Sequence, residues 1–426
     1  MALPNSDAVE RALLDTLDSG REELMEFVSA AVRIPSVTGE EGALGKMVAD
    51  WLAGNGIESY SRTATTGLKE RLGGFEAEDD LELRPNVFAW VRGEAGGQAP
   101  LVISTHQDVV SPGDHGAWAR DPWSGDREGG RIFGRGATDM KGSIGAALFA
   151  LRAVHEAGVV PPRDVEVQCV FAEESGGLGT LSALETEPLP AAAVVLEPSE
   201  CAAAAACSGC LHFTVTVEGR SAHAATPWMG VSALEKMIAA YGALEKLAER
   251  RRGAQDHPLF SSFPDAAPFS IGVARAGEWR STVAERAVMI GRLGIMPGES
   301  LAHGRAEIVD ALHSLTAEDE WLHGHPPVVS WDNAGFASWD TDPGSEIVET
   351  VTGAAEAVLG PRPLGAVTYG SDAGHFAQRG VPVVIFGPGR ITDAHAPDES
   401  VSEDDVLAVA KALALTIVRY APGPGA

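Results

Sequence analysis

Between His106 and Lys141 the chain reads HQDVVSPGDHGAWARDPWSGDREGGRIFGRGATDMK, opening on a His-x-Asp pair and closing on a glycine-flanked aspartate. Residues two apart on a strand share a face, so His106 and Asp108, at the end of the apolar run LVIST, are placed to act together. His106 can hold a metal ion through one ring nitrogen, while Asp108 either steadies the chain around it or accepts from the other nitrogen. Asp139 sits in GRGATDMKGS, where glycines let backbone and ligand approach closely and a helix is predicted just beyond.

Four more residues could share that chemistry. Glu173 and Glu174 end the run VQCVFAEE, Glu197 ends AVVLEP, and His395 lies in TDAHAPDES, after the apolar run VVIF. Neighbouring residues at a strand end point to opposite sides, so one of Glu173 and Glu174 can bind metal while the other faces a substrate as a base. Taken singly, each has an ordinary explanation: Asp139 as a helix cap, the glutamate pair as a solvated edge, Glu197 as a strand-end acid, His395 as a loop histidine. Taken together, His106, Asp139, Glu174 or its neighbour, Glu197 and His395 follow predicted strands or lie in the loops beyond them, where open α/β sheets bind ligands. Two imidazoles with several carboxylates suit two Zn²⁺ ions, with cobalt or manganese as substitutes.

The elements that must position these groups are visible as patterns. Helix periodicity runs through DTLDSGREELMEFVSAAVRIPSV and again from about Glu41 to Asn55. The β-rich runs NVFAWVRG, LVISTHQDVV, DVEVQCVFAEE and AAAVVLEPS then alternate with alanine-rich helical stretches such as GSIGAALFALRAVHEAG. This alternation predicts an α/β fold, a mixed sheet flanked by helices on both faces. From about Ser208 to Ala334 the texture changes to strand, helix, strand, strand, helix, strand, an α+β unit inserted into the larger one. The expected divisions are therefore 1–207, 208–334 and 335–426.

At 426 residues the chain exceeds what one hydrophobic core usually holds, in keeping with two units. A net charge of −28 repels nucleic acid and anionic membranes, so neither is an expected partner. The acidic start MALPNSDAVERALL lacks a signal-peptide pattern and no apolar run is long enough to span a bilayer, which reads as a soluble cytoplasmic protein. Cys207 and Cys210 form an isolated CxxC, read with Cys169 and Cys201 as reduced structural thiols.

The chain resembles the metallohydrolase family of acetylornithine deacetylase, succinyl-diaminopimelate desuccinylase, aminoacylase and the glutamate-releasing carboxypeptidase. The resemblance rests on HQDVVSPGDHGAWARDPWSG, IFGRGATDMKG, FAEESGGLGT, VVLEPS, GRSAHAATPWMGVSA, SDAGHFAQRGVPVVIFGPG and AHAPDESV, in that order. It implies a zinc-exopeptidase-like catalytic domain with a ferredoxin-like dimerisation and lid domain inserted. It also implies that His106, Asp139 and Glu197 hold one metal, that Asp139, Glu174 and His395 hold the other, and that a cis peptide follows the bridging Asp139. Glu173 is then the general base and Asp108 a support for His106. His223, in GRSAHAATP, becomes an oxyanion donor delivered across a homodimer interface, and Arg292 a holder of the substrate carboxylate.

Two stretches depart from the family pattern. Ser281, Thr282 and Ala284 stand where an Asn and a Pro are frequent, and Asp372, Ala373, Gly374 and His375 stand where Asp-Ala-Arg is frequent. The function implied is hydrolysis of an N-acyl amino acid or related small N-acyl amine. A carboxypeptidase or dipeptidase with the same site is the alternative. A non-catalytic scaffold of the same fold would have no need of Glu173, and a carbamoyl-amide hydrolase fits GRGATDMKG less well.

Overall fold

Leu101–His106 and Val165–Val170 are buried at every position, as strands covered on both faces must be. The computed structural model describes residues 6–64, 68, 84–94, 99–331 and 335–421. Among these residues a nine-stranded sheet runs, from one edge, through β1 (Glu58–Arg62), β2 (Asn86–Val91), β6 (Val165–Val170), β3 (Leu101–His106), β7 (Ala192–Val195), β15 (Val383–Ile385), β8 (Ala204–Cys207) and β13 (Trp339–Asp340). The ninth strand, β14 (Gly365–Val367), also pairs with β8. The four central strands β6, β3, β7 and β15 are parallel, and antiparallel strands flank them.

Alternation along the strands separates two apolar layers. Leu101, Ile103, Val165, Val167 and Val194 enter one core with the helices Arg21–Val32, Gly142–Glu156, Glu346–Leu359 and Glu403–Arg419. Val102, Ala193, Val195, Val383 and Ile385 face the opposite way, onto Leu184, Ala373 and Phe376 of the helices Leu178–Thr186 and Ala373–Gln378. The predicted mixed sheet with helices on both faces is therefore what forms.

The second texture seen in the sequence becomes a four-stranded antiparallel sheet, ordered β10 (Phe269–Ala276), β11 (Arg286–Ile295), β9 (Gly209–Glu218) and β12 (Val328–Trp331). Helices Ala233–Arg252 and Leu301–Ser314 share a core with alternate residues of β9 and β11, including Phe213, Val215, Met289 and Leu293. The chain order is strand, helix, strand, strand, helix, strand. Edge strand β10 is largely exposed.

Two features differ from the sequence reading. The first helical segment is two helices, Ser6–Ser19 and Arg21–Val32, because Gly20 leaves helical geometry between them. A third sheet, β16 (Ser400–Ser402), β5 (Arg131–Phe133) and β4 (Arg127–Glu128), was not foreseen, since strands of two or three residues carry no period. It joins the segment before Asp139 to the segment after His395. Among the described residues no helix is long and apolar enough to cross a membrane, and the four cysteines are buried free thiols.

Candidate metal centre

His106 is the last residue of β3, Glu173 and Glu174 follow β6, and Glu197 follows β7, so the central parallel strands deliver these groups at their carboxyl ends. Asp139 arrives differently, from the turn between β5 and the helix Gly142–Glu156, and the Asp139–Met140 peptide is cis as the resemblance implied. His395 comes from the loop after β15, with a left-handed backbone at φ 59°. It does not cap a helix, and neither does Asp139.

These side chains converge. His106 Nε2 lies 3.0 Å from Asp139 Oδ1 and 3.9 Å from Glu197 Oε1. His395 Nε2 lies 3.4 Å from Asp139 Oδ2 and 3.3 Å from Glu174 Oε1. Among the described residues two groups place their donor atoms within 4.8 Å of one another: His106 with Glu173 and Glu197, and His106 with Asp139 and Glu174. Asp139 thus offers one oxygen toward each histidine. His106, Asp139, Glu173 and Glu197 are buried, Glu174 is partly buried, and the His395 side chain is 50% exposed.

The electrostatics fit a cation. Burial, reinforced by Asp139, pushes Glu197 well above the usual carboxylate range, and burial with Glu197 and Asp372 does the same to Glu173. Glu174 is raised by burial and by Asp139. Burial also works against a charge on Asp139, yet hydrogen bonds from His106 and His395 hold its carboxyl below the usual range. His395 is pushed up to about 11 by its hydrogen bonds to Asp139 and Glu174. Glu197 Oε1 is buried without a hydrogen-bond partner. Buried carboxylates raised first by burial and then by one another, with an orphaned oxygen among them, are the donor set that divalent cations neutralise.

Asp108 is a support. Its backbone carbonyl accepts from His106 Nδ1 at 2.9 Å, leaving Nε2 for the centre. Its carboxylate accepts the backbone N–H groups of Glu173 and Glu174 at 3.0 and 3.1 Å and the Thr38 hydroxyl at 2.9 Å.

Sequence reasoning missed several residues that hold the site. Glu399 accepts the N–H groups of Thr138 and Asp139 at 3.0 and 3.1 Å and pairs with Arg135 at 2.5 Å. Glu41, paired in two contacts of 2.8 Å with buried Arg84, accepts from Ala172 N at 3.3 Å beside the glutamate pair. Both carboxylates were in plain view, but their partners are distant in sequence; only the AHAPDESV motif hinted at Glu399.

Two expected site residues lie apart from this group. His223 is exposed beside the second sheet, where its Nδ1 accepts from Ala225 N at 3.0 Å. Arg292, half-buried on β11, donates from Nη2 to the Thr368 carbonyl at 3.1 Å, while its Nε is buried without a hydrogen-bond partner. The second sheet thereby touches the segment that follows β14.

Fold and centre together define a metal-dependent hydrolase. Residues 102–419 match the model of peptidase family M20/M25/M40, and the chain belongs to that family. It is 27% identical over 355 residues to N-formyl-4-amino-5-aminomethyl-2-methylpyrimidine deformylase of Bacillus subtilis (strain 168), covering 79% of this chain and 83% of the relative. The same-named enzyme of Halalkalibacterium halodurans is 25% identical, covering 97% and 98%. Among solved structures, the dipeptidase Dug1p from Saccharomyces cerevisiae superposes with a TM-score of 0.76 at 14% identity, covering 97% and 99%. The chain is accordingly a metal-dependent hydrolase acting on amides.

Proposed function

We propose that the protein is a deacylase that cleaves a small N-acyl amine, such as an N-acyl amino acid, at a centre of two divalent ions, zinc by preference. The observation that carries this reading is the convergence of His106 with four carboxylates, Asp139, Glu173, Glu174 and Glu197. In this reading His106, Asp139 and Glu197 hold one ion, and Asp139, Glu174 and His395 hold the other. Bound there, such a pair supplies Lewis acidity to a water and to the amide carbonyl. Glu173 takes the proton of the attacking water at its carboxylate and returns it to the amine nitrogen as the C–N bond breaks. Its raised affinity for a proton, caused first by burial, suits a group that must both accept and release one.

The inserted segment 208–334 acts as lid and dimerisation domain between catalytic parts 1–207 and 335–426. An exposed apolar stripe on helix Ala233–Arg252, formed by Leu234, Ile238 and Tyr241, supports a homodimer, as does the uncovered edge of β10. From there His223 of one protomer donates to the oxyanion in the other. Arg292 holds the carboxylate of the substrate, with its Nε as the available donor. Four free thiols accord with a reducing cytoplasm.

The two relatives compared above are named deformylases, so removal of a small acyl group comes first among reactions to test. The decisive assay is primary-amine release from N-formyl, N-acetyl, N-succinyl and longer N-acyl amines, with dipeptides alongside, using zinc-loaded protein. Release from acyl amines ahead of dipeptides is expected. Dipeptides turned over in preference would replace the deacylase reading with the dipeptidase one, which the family's peptidase members keep as its alternative.

A further inference from the structure

The turn that carries Glu173 and Glu174 is gripped from a second direction. It leaves β6 through Ala172, at φ 56°, and returns into the helix Leu178–Thr186 through Gly176 and Gly177, at φ 113° and 80°. Such backbone conformations do not hold themselves. Asp108 secures one side through two amides, as described. The other side faces Ser371–His375.

Two hydrogen bonds and one close approach are made there. His375 Nε2 lies 3.0 Å from the Gly176 carbonyl oxygen. A carbonyl only accepts, so this nitrogen carries the hydrogen and the ring is the Nε2–H tautomer, with buried Nδ1 left unprotonated. Asp372 Oδ2 accepts the Thr180 hydroxyl at 2.6 Å, one turn into the helix that the loop enters. A Cβ built on Gly177 would come within 2.2 Å of Asp372 Oδ1 and 2.5 Å of His375 Nε2, so the pair leaves room for glycine alone. His375 and Asp372 are both buried, and His375 rests against Phe336, with ring centroids 5.5 Å apart.

We infer that Asp372 and His375 are positioning residues for this hydrolase, clamping the Glu173–Gly177 turn through the Gly176 carbonyl and Thr180 so that Glu173 keeps a fixed direction toward the centre. The inference rests on the proposed role of Glu173. Three residues before the Ser371–His375 segment, the Thr368 carbonyl accepts from Arg292 of the second sheet.

The test uses zinc-loaded protein and three variants: His375→Ala, His375→Gln and Thr180→Val. Glutamine retains an N–H for the Gly176 carbonyl, and valine keeps the shape of threonine without its hydroxyl. For His375→Ala, amide hydrogen exchange at Gly176, Gly177 and Gly179 should quicken by about tenfold or more, with the β3 amides unchanged. On the best substrate from the screen, kcat should fall by about tenfold or more while KM moves less than about threefold. Bound zinc should be unaltered, His375→Gln should recover part of both effects, and Thr180→Val should give a smaller loss of the same kind. Unchanged exchange at Gly176 to Gly179, or loosening spread evenly through the sheet, would overturn the clamp. Glu173→Gln is run alongside. Retention of turnover there would sink the base assignment alone, because the exchange measurement judges the clamp without reference to Glu173 chemistry.

Discussion

The backbone N–H of Asp139 donates to the Glu399 carboxylate at 3.1 Å across 260 residues of chain, so the loop that delivers His395 also fixes the aspartate it meets. Glu399 is fully buried and paired with a buried Arg135. Replacing it with glutamine removes the charge opposite Arg135 and offers one acceptor oxygen where two served. Metal affinity should fall about 10- to 100-fold, the range typical of partners that orient a ligand. Competition for Zn²⁺ against a chelator measures this, and an affinity within twofold of the parent protein would show that Glu399 acts on folding alone.

Asp108 presents three acceptor contacts and meets only donors: two amides and the Thr38 hydroxyl. Asn fits the same space but must turn an NH₂ group toward one of them. Asp108→Asn should therefore lower kcat by about 100-fold or more with zinc at saturation, whereas Thr38→Val, which removes a single neutral contact, should lose about tenfold or less. Equal losses in the two variants would mean that the amide contacts carry nothing.

The positions that converge in the candidate centre were legible because most of them end apolar runs. His106 ends a strand whose burial is written in its residues, Glu173, Glu174 and Glu197 lie just past two others, and the carboxyl end of a parallel strand is a place with known consequences. Asp139 was legible through its glycines, although it hangs from a three-residue strand that no periodicity could announce. What stayed hidden were tertiary partnerships. Glu41 with Arg84, Glu399 with Asp139, and His375 with Gly176 join segments separated by 43, 260 and 199 residues, and nothing local marks a carboxylate or imidazole as the one whose partner is far away. Gly20 was absorbed into a helical pattern because a single glycine is tolerated there as often as it breaks one.

Away from the centre, Glu166 on β6 is fully buried with neither carboxylate oxygen hydrogen-bonded. Burial, helped by Glu187, pushes its carboxyl up to about 8, against the opposing pull of Gln168, Arg92 and Arg62. The folded state thus keeps a proton that the unfolded chain releases near pH 4.5. Stability from this group should fall as pH rises from about 4.5 to about 8 and change little above that. Glu166→Gln carries no charge in either state. It should match the parent near pH 4.5 and exceed it at pH 8 by a few kcal/mol, at roughly 1.4 kcal/mol per unit of raised pKa. Urea unfolding of both proteins across that range tests the sign, and a variant less stable than the parent at pH 8 would contradict it.

The last prediction concerns the apolar stripe on helix Ala233–Arg252. Leu234, Ile238 and Tyr241 recur at helical spacing, and Ile238 is 61% exposed, while Ala233, Met237, Ala240 and Leu244 of the adjoining face fill the core. A chain that leaves one side of an amphipathic helix uncovered next to an open strand edge is built to be covered by another surface, and a second copy supplies the same pair of features in reverse. Ile238→Asp places a charge in the middle of that stripe without disturbing the buried side. Sedimentation should show a dimer for the parent and a shift to monomer for the variant at equal concentration, with the same melting of the monomer core. If His223 acts across the interface, turnover should fall with the dimer. Mixing a His223→Ala chain with a Glu197→Ala chain should then restore activity, because one of the two mixed sites regains every group. Full activity in a demonstrated Ile238→Asp monomer would return His223 to its own protomer.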